Sequence, residues 1–401
     1  MAGLKRREGW MLLTLAALQF VSMVDFMIIM PLGPQLPTGP GIDAARFGWT
    51  VSAYTFAAGI AGFLAAPWLD RVGRRSAYLV LTVGLLACTT GCGFAMNHPQ
   101  LLVLRCATGV CGGLHGAVAL AIIADVFPPE KKGRATGVLM SAFGLASVVG
   151  VPFGITLGTR YGWQAPFFVL GVLGLPLAVL AAWTLPPLTG HLGSGVQRTP
   201  GDFVSTLTLP PHRWAFALVA ALMFGAFAVI PYISTALVAN IGVNEAQFPI
   251  LFIVSGLLTF VTTPLVGRLV DRQGALRVFS GIVPVSAAMI VLMTHLPRVG
   301  LIGAIPVAAL LMATNAGRMV SVMALIMASV EPRRRGGFMS VNSSVQNVAS
   351  GLGTLCSGLI VDGDPGQPLR HFGTVGLMAA ATTLGSLWLA RRVHPVREST
   401  P

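Results

Sequence analysis

The chain has 401 residues, 54% of them hydrophobic and 10% charged, with a formal net charge of +13 and a mean hydropathy of +0.78. A soluble domain carries about 25% charged residues, so the composition excludes a water-soluble fold. The basic excess alone would fit a nucleic-acid partner, and the positions of the basic residues decide that question.

Apolar stretches near the ~20 residues needed to cross ~30 Å of hydrocarbon recur along the whole chain. In order they predict twelve membrane-spanning helices, at 10–33, 47–69, 77–95, 100–125, 135–158, 164–186, 214–239, 248–270, 278–296, 299–327, 338–361 and 372–390. The first span follows Lys5, Arg6 and Arg7; with no small-residue cleavage site and eleven spans after it, it is expected to stay as a helix and not to be removed as a signal peptide. With the N-terminus inside, 20 of the 26 Lys and Arg residues fall in segments on one side. Arg46, Arg160, Arg298 and Arg370 fall on the other, and Arg105 and Arg318 lie within spans. The positive-inside asymmetry predicts a multi-pass protein of the cell inner membrane with both termini in the cytoplasm. It explains the net charge without nucleic acid. The five cysteines all lie in spans, where no disulfide is expected, and Cys88 and Cys92, four residues apart, lack the His or carboxylate neighbours of a metal site.

An internal repeat divides the chain. D-R-V-G-R-R from Asp70 matches D-R-Q-G-A-L from Asp271 at an offset of 201, Pro31 matches Pro231 at 200, and P-E-K-K-G from Pro129 matches P-R-R-R-G from Pro332 at 203. Near-constant spacing predicts two six-helix bundles, residues 1–187 and 213–401, joined by a Gly-, Ser-, Thr- and Pro-rich cytoplasmic linker over 188–212.

These landmarks resemble the major facilitator superfamily over essentially the whole chain, in particular its twelve-helix drug and sugar efflux proteins, the arabinose-efflux-permease-like group. The most specific element is that family's loop motif, G-x-L-x-D-R-x-G-R-R, between the second and third helices of each half. Gly267, Leu269, Asp271, Arg272 and Gly274 match it in the second half, with Ala275 and Leu276 in place of the basic pair. In the first half Asp70, Arg71, Gly73, Arg74 and Arg75 match, with Ala66 and Trp68 in place of the Gly and Leu. An acid at a cytoplasmic helix end can face the positive N-terminus of another helix, and arginines can bridge to acids on neighbouring ends. Asp125 is thus the expected partner of Arg71 or Arg74 in a cytoplasmic gate, unless these charges serve topology alone. The resemblance extends to the fifth helix, where Gly150, Pro152 and Gly154 stand in a Gly- and Pro-rich variant of a motif that the family associates with antiport. Small residues there let helix backbones approach, and Pro152 removes a ladder hydrogen bond.

Of 13 acids the topology leaves only Asp25 mid-span. An ionisable group at that depth calls for a partner or a function. Gln19, Ser22 and Asp25 form a slanting polar stripe on the first helix, and the resemblance implies that an acid there couples proton to substrate. The alternative is a carboxylate held in an ion pair, for which Arg105, in the family's R-x-x-x-G pattern with Gly109, is the expected partner. At ~1.5 Å per residue, Asp25 and Arg105 both fall in the outer half of the membrane. His115 and Arg318 are repeat-equivalent at an offset of 203, and Asn315 lies one turn before Arg318, a patch suited to an anionic or hydrogen-bonding group unless the arginine snorkels to the cytoplasm. The first, fourth, seventh and tenth helices line the central cavity in this family, so Gln19, Ser22, Asp25, His115, Tyr232, Asn315 and Arg318 are the expected lining.

No nucleotide-binding Gly loop, metal cluster or activated nucleophile stands in the sequence. The expectation is an all-α membrane transporter and not an enzyme. It would be driven by a proton gradient with no cofactor, exporting a small organic molecule by alternating access, and would act as a monomer. A lipid or lysolipid mover, a uniporter and a non-transporting receptor of the same fold are the alternatives.

Overall fold

A computed structural model of the chain describes residues 6–36, 41–69, 71–188, 210–331, 335–363 and 367–393. Asp70, and residues 189–209 of the expected linker, lie outside them. The hydrocarbon core offers backbone groups no water, so spanning segments satisfy their own hydrogen bonds as helices. Twelve follow in order: α1 (Arg6–Ile28), α2 (Ala44–Leu69), α3 (Arg74–Gly93), α4 (His98–Val126), α5 (Pro129–Tyr161), α6 (Ala165–Thr184), α7 (His212–Ala239), α8 (Phe248–Gln273), α9 (Ala275–Thr294), α10 (Gly300–Ala328), α11 (Arg335–Ile360) and α12 (Phe372–Arg392). Outside them, Asp362 and Arg370 form an isolated antiparallel bridge.

Eleven of these helices are apolar enough to cross a membrane by composition, and α11 is not among them. Its Asn342, Ser344 and Ser350 are buried, because α11 lies between α2 and α7 and meets protein on both sides. The repeat seen in the sequence is also a repeat of contacts. In the N-terminal half α2 and α3 pack on α4, and α1 and α3 on α6; in the C-terminal half α8 and α9 pack on α10, and α7 and α9 on α12.

Two helices break their ladder at proline. Pro152 has no N–H and its ring crowds the carbonyl four residues back; α5 accommodates this with a π-turn over Ala146–Gly150 before resuming at Val151. In α7, Pro231 sits in a 3-10 turn, Ile230–Tyr232, between Val229 and Ile233.

The two halves touch along two seams. The α2–α11 seam runs nearly the length of both helices, with Gly48 against Gly358 near the outer end and Gly59 and Gly62 against Ser344 further in. The α5–α8 seam is closed where Val148 meets Gly256, whereas Gly133, Gly137 and Gly144 of α5 and Gly267 of α8 face open space. At the outer end Gln35 Nε2 donates to Glu245 Oε2 at 3.0 Å, and one apolar cluster containing Ile29, Leu32, Phe47, Tyr232 and Leu237 spans both halves. The end of the bundle where α1 finishes and α2 begins, outer on the expected topology, is therefore closed.

Candidate functional site

Helices α1 and α4 run antiparallel with their polar stripes in register. Gln19 lies against Gly116, Ser22 against Gly112, and Asp25 against Arg105. The Arg105 guanidinium donates to Asp25 Oδ2 at 3.2 Å and to the Asp25 carbonyl at 3.3 Å, and neither side chain has any exposure. Thr89 of α3 donates to Asp25 Oδ1 at 3.0 Å. Ser22 shares a side-chain hydrogen bond with Tyr54, while Nε and one terminal nitrogen of Arg105 and Gln19 Oε1 are buried without a protein hydrogen-bond partner, so the stripe retains unused donors and an acceptor.

Two glycines set this geometry. A Cβ on Gly109 would meet the backbone of Tyr54 on α2, and one on Gly113 would meet Ala58 Cα at 2.8 Å, so both positions must be bare for α2 and α4 to cross this closely. That approach places the Tyr54 ring 4.7 Å from the Arg105 guanidinium carbon, a cation–π contact. Tyr54 in turn packs on Phe26, and Phe26 on Phe227 of the opposite half. Sequence reasoning missed both Tyr54 and Thr89. One of only four tyrosines in the chain, placed mid-span, was the available signal for the first.

The α5 motif holds the helix that bears Asp25. Gly150, Gly154 and Gly158 form a bare stripe that receives Val24, Ile28 and Leu32. The π-turn thus touches the neighbour of Asp25 at Gly150 and the opposite half at Val148.

His115 is wholly buried and stacked on Tyr78 of α3 with ring centroids 4.5 Å apart. Neither of its ring nitrogens has a protein hydrogen-bond partner. Tyr232 lies between the two halves. It leaves the α7 ladder at the 3-10 turn and crosses the outer seam, donating to the Ala44 carbonyl at 3.0 Å and meeting the edge of Phe47 at 5.5 Å.

Arg318 is 2% exposed and so does not snorkel. It donates to Asn315 Oδ1 at 2.6 Å and to Thr383 Oγ1 of α12 at 2.9 Å, while its Nε has no partner. With Asn315 it lines a small cavity between α7, α9 and α10, about 10 Å³ of room for a water-sized occupant.

At the end of the bundle where α3 begins and α4 finishes, Arg74 pairs with Asp125 at 2.6 Å, and Lys131 with Glu8 at 3.3 Å. Each of these ties is internal to the N-terminal half. Arg71 is exposed, as are Asp271 and Arg272 at the end of α8 beyond Gly267.

The comparisons with known proteins agree with this architecture. The family model described as Major Facilitator Superfamily matches residues 15–293 and 215–401. An uncharacterised MFS-type transporter of Bacillus subtilis (strain 168), YceJ, is 24% identical over 96% of this chain and 97% of its own. A chloramphenicol resistance protein of Streptomyces lividans is 26% identical over 63% of this chain and 64% of its own. Among solved structures, a bacterial homologue of the human lysosomal transporter Spinster, in an inward-facing and occupied conformation, superposes with a TM-score of 0.74 at 18% identity, covering 98% of both chains. At that identity the likeness concerns the fold.

Proposed function

The chain belongs to the Major Facilitator Superfamily of membrane transporters, and from that premise we propose that it exports a small organic compound in exchange for protons, by alternating access of its two halves. The observation that carries this reading is the wholly buried Asp25–Arg105 pair, the one place among the described residues where an acid is removed from water at membrane depth. Similarity to a chloramphenicol resistance protein supports export. The basic asymmetry supports an inner-membrane location with both termini in the cytoplasm, where the protein acts as a monomer.

The outward-closed arrangement corresponds to the deprotonated state, in which the Asp25 carboxylate accepts from Arg105 and Thr89. A proton arriving on Asp25 cancels the ionic attraction. Arg105 keeps the Tyr54 ring as its remaining support, and α1 is free to move relative to α4. Because α1 is seated on the glycine stripe of α5, that movement passes through the π-turn to Val148 and the α5–α8 seam. The proton is taken up from the outer side, once the substrate-loaded protein has opened there and substrate leaves, and the movement it triggers favours return to the outward-closed form. On return, loss of the proton to the cytoplasm restores the ion pair. Flux of a labelled substrate in proteoliposomes, with and without an imposed pH gradient, tests the reading: transport indifferent to the gradient contradicts it.

A further inference from the structure

We propose that Arg318 is the docking point for a negatively charged oxygen group, carboxylate or phosphate, on the transported molecule. The proposal rests on the transporter reading of the protein but not on proton coupling.

It follows first from charge. Among the described residues three ionisable acid or guanidinium groups are buried within the spans: Asp25, Arg105 and Arg318. The first two neutralise each other, and Arg318 remains as a buried cation with no acidic partner among the described residues. An uncompensated charge at this depth is costly and points to a ligand or ion pathway. Arg318 lies 10 residues from the inner end of α10, about 15 Å at 1.5 Å per residue, and its side chain runs sideways to α12 instead of outward to water.

Geometry gives the second reason. A guanidinium has five N–H donors in a fork suited to an oxyanion. Here its protein partners are the neutral oxygens of Asn315 and Thr383, and Nε is unpartnered although buried. Arg318 and Asn315 border, through their apolar atoms, a cavity whose other walls include Ala226, Val229, Ile230, Ile290, Leu311 and Met312, while the polar atoms of Arg318 are turned to Asn315 and Thr383. Once α7 and α10 part and the guanidinium turns to this space, a cationic end with apolar walls selects an anion carrying an apolar body. In the outward-closed arrangement the cavity has room for about one water, so entry of such a ligand requires α7 and α10 to part. Alternating access supplies that movement, and the 3-10 turn at Ile230–Tyr232 gives α7 a break beside the cavity.

The test uses the purified full chain in detergent, with thermal stability and tryptophan fluorescence titration as readouts and no gradient present, so that it can fail while the proton-coupled reading stands, and the reverse. Benzoate, benzamide, benzylammonium and lysophosphatidylglycerol are the probes. Benzoate or lysophosphatidylglycerol should raise the melting temperature saturably, with benzamide and benzylammonium at least tenfold weaker than benzoate. A response to benzoate assigns the anion to a soluble carboxylate, and a response to the lysolipid alone assigns it to a lipid headgroup. Arg318→Gln should weaken the effective anion at least tenfold, and Arg318→Lys should retain part of the affinity. Should Arg318→Gln not fold, Asn315→Asp decides, because it sets a permanent carboxylate on Arg318: the protein should melt higher without ligand and lose its response to the anion. Equal binding of benzamide and benzoate, anion binding unchanged in Arg318→Gln or Asn315→Asp, or no response to either anion would overturn the proposal.

Discussion

Asp25 and Arg105 meet at 3.2 Å with neither side chain exposed, 80 residues apart in sequence, on antiparallel helices whose crossing is set by bare glycines on α4. Removing one member of such a pair leaves the other charge buried alone, at a cost of about 3–5 kcal/mol. Arg105→Gln should therefore lower the melting temperature markedly. Combination with Asp25→Asn should recover most of that loss, because the double variant buries no lone charge. A double variant no more stable than Arg105→Gln alone would count against the pair as a stabilising unit.

The Tyr54 ring supports the same guanidinium. A desolvated cation–π contact contributes about 0.5–2 kcal/mol, so Tyr54→Leu should destabilise by that order while Tyr54→Phe, which keeps the ring, should lose much less. Thermal denaturation of the two purified variants separates them, and equal losses would assign the effect to the hydroxyl.

Along α5, glycines of different surroundings give a paired prediction. A Cβ at Gly154 would sit against Ile28 of α1, whereas one at Gly144 meets nothing within 4 Å. Gly154→Leu should cost at least the ~1–3 kcal/mol typical of overpacking and reduce transport by displacing α1, while Gly144→Ala should be near neutral in both. Comparable behaviour of the two variants would remove the seating role of the stripe.

The outer seam includes one hydrogen bond from Tyr232 to the Ala44 carbonyl. Its loss in Tyr232→Phe, about 0.5–1.5 kcal/mol, should shift the equilibrium roughly two- to tenfold toward outward-open forms. Spin labels at Arg160→Cys and Arg298→Cys, in a background without the five native cysteines, report this as added population at long distance. An unchanged distance distribution would show that the bond does not gate the seam.

Scarcity of charge made the central pair legible in the sequence. With one acid and two arginines left inside twelve spans, helix depth alone brought Asp25 and Arg105 to the same level. The twelve helices and their two-fold repeat were legible because span length and basic loops report topology directly, even for α11, whose polar residues are covered by α2 and α7. Thr89 was not legible, since a neutral residue in a span causes no anomaly of depth, and although Tyr54 is a rare mid-span tyrosine, its contact with Arg105 was not, because the rotation of α2 about its axis is set by contacts. The stacking of His115 on Tyr78 was hidden for the same reason. The bond from Tyr232 to Ala44 was not legible because Pro231 marks a break in α7 without saying which way the next side chain turns.

The account turns on Asp25 carrying the proton. Asp25→Asn, reconstituted into proteoliposomes, should insert and bind substrate with an affinity that no longer changes with pH, and its export should no longer respond to an imposed pH gradient. Gradient-driven export by Asp25→Asn at the wild-type rate would contradict it.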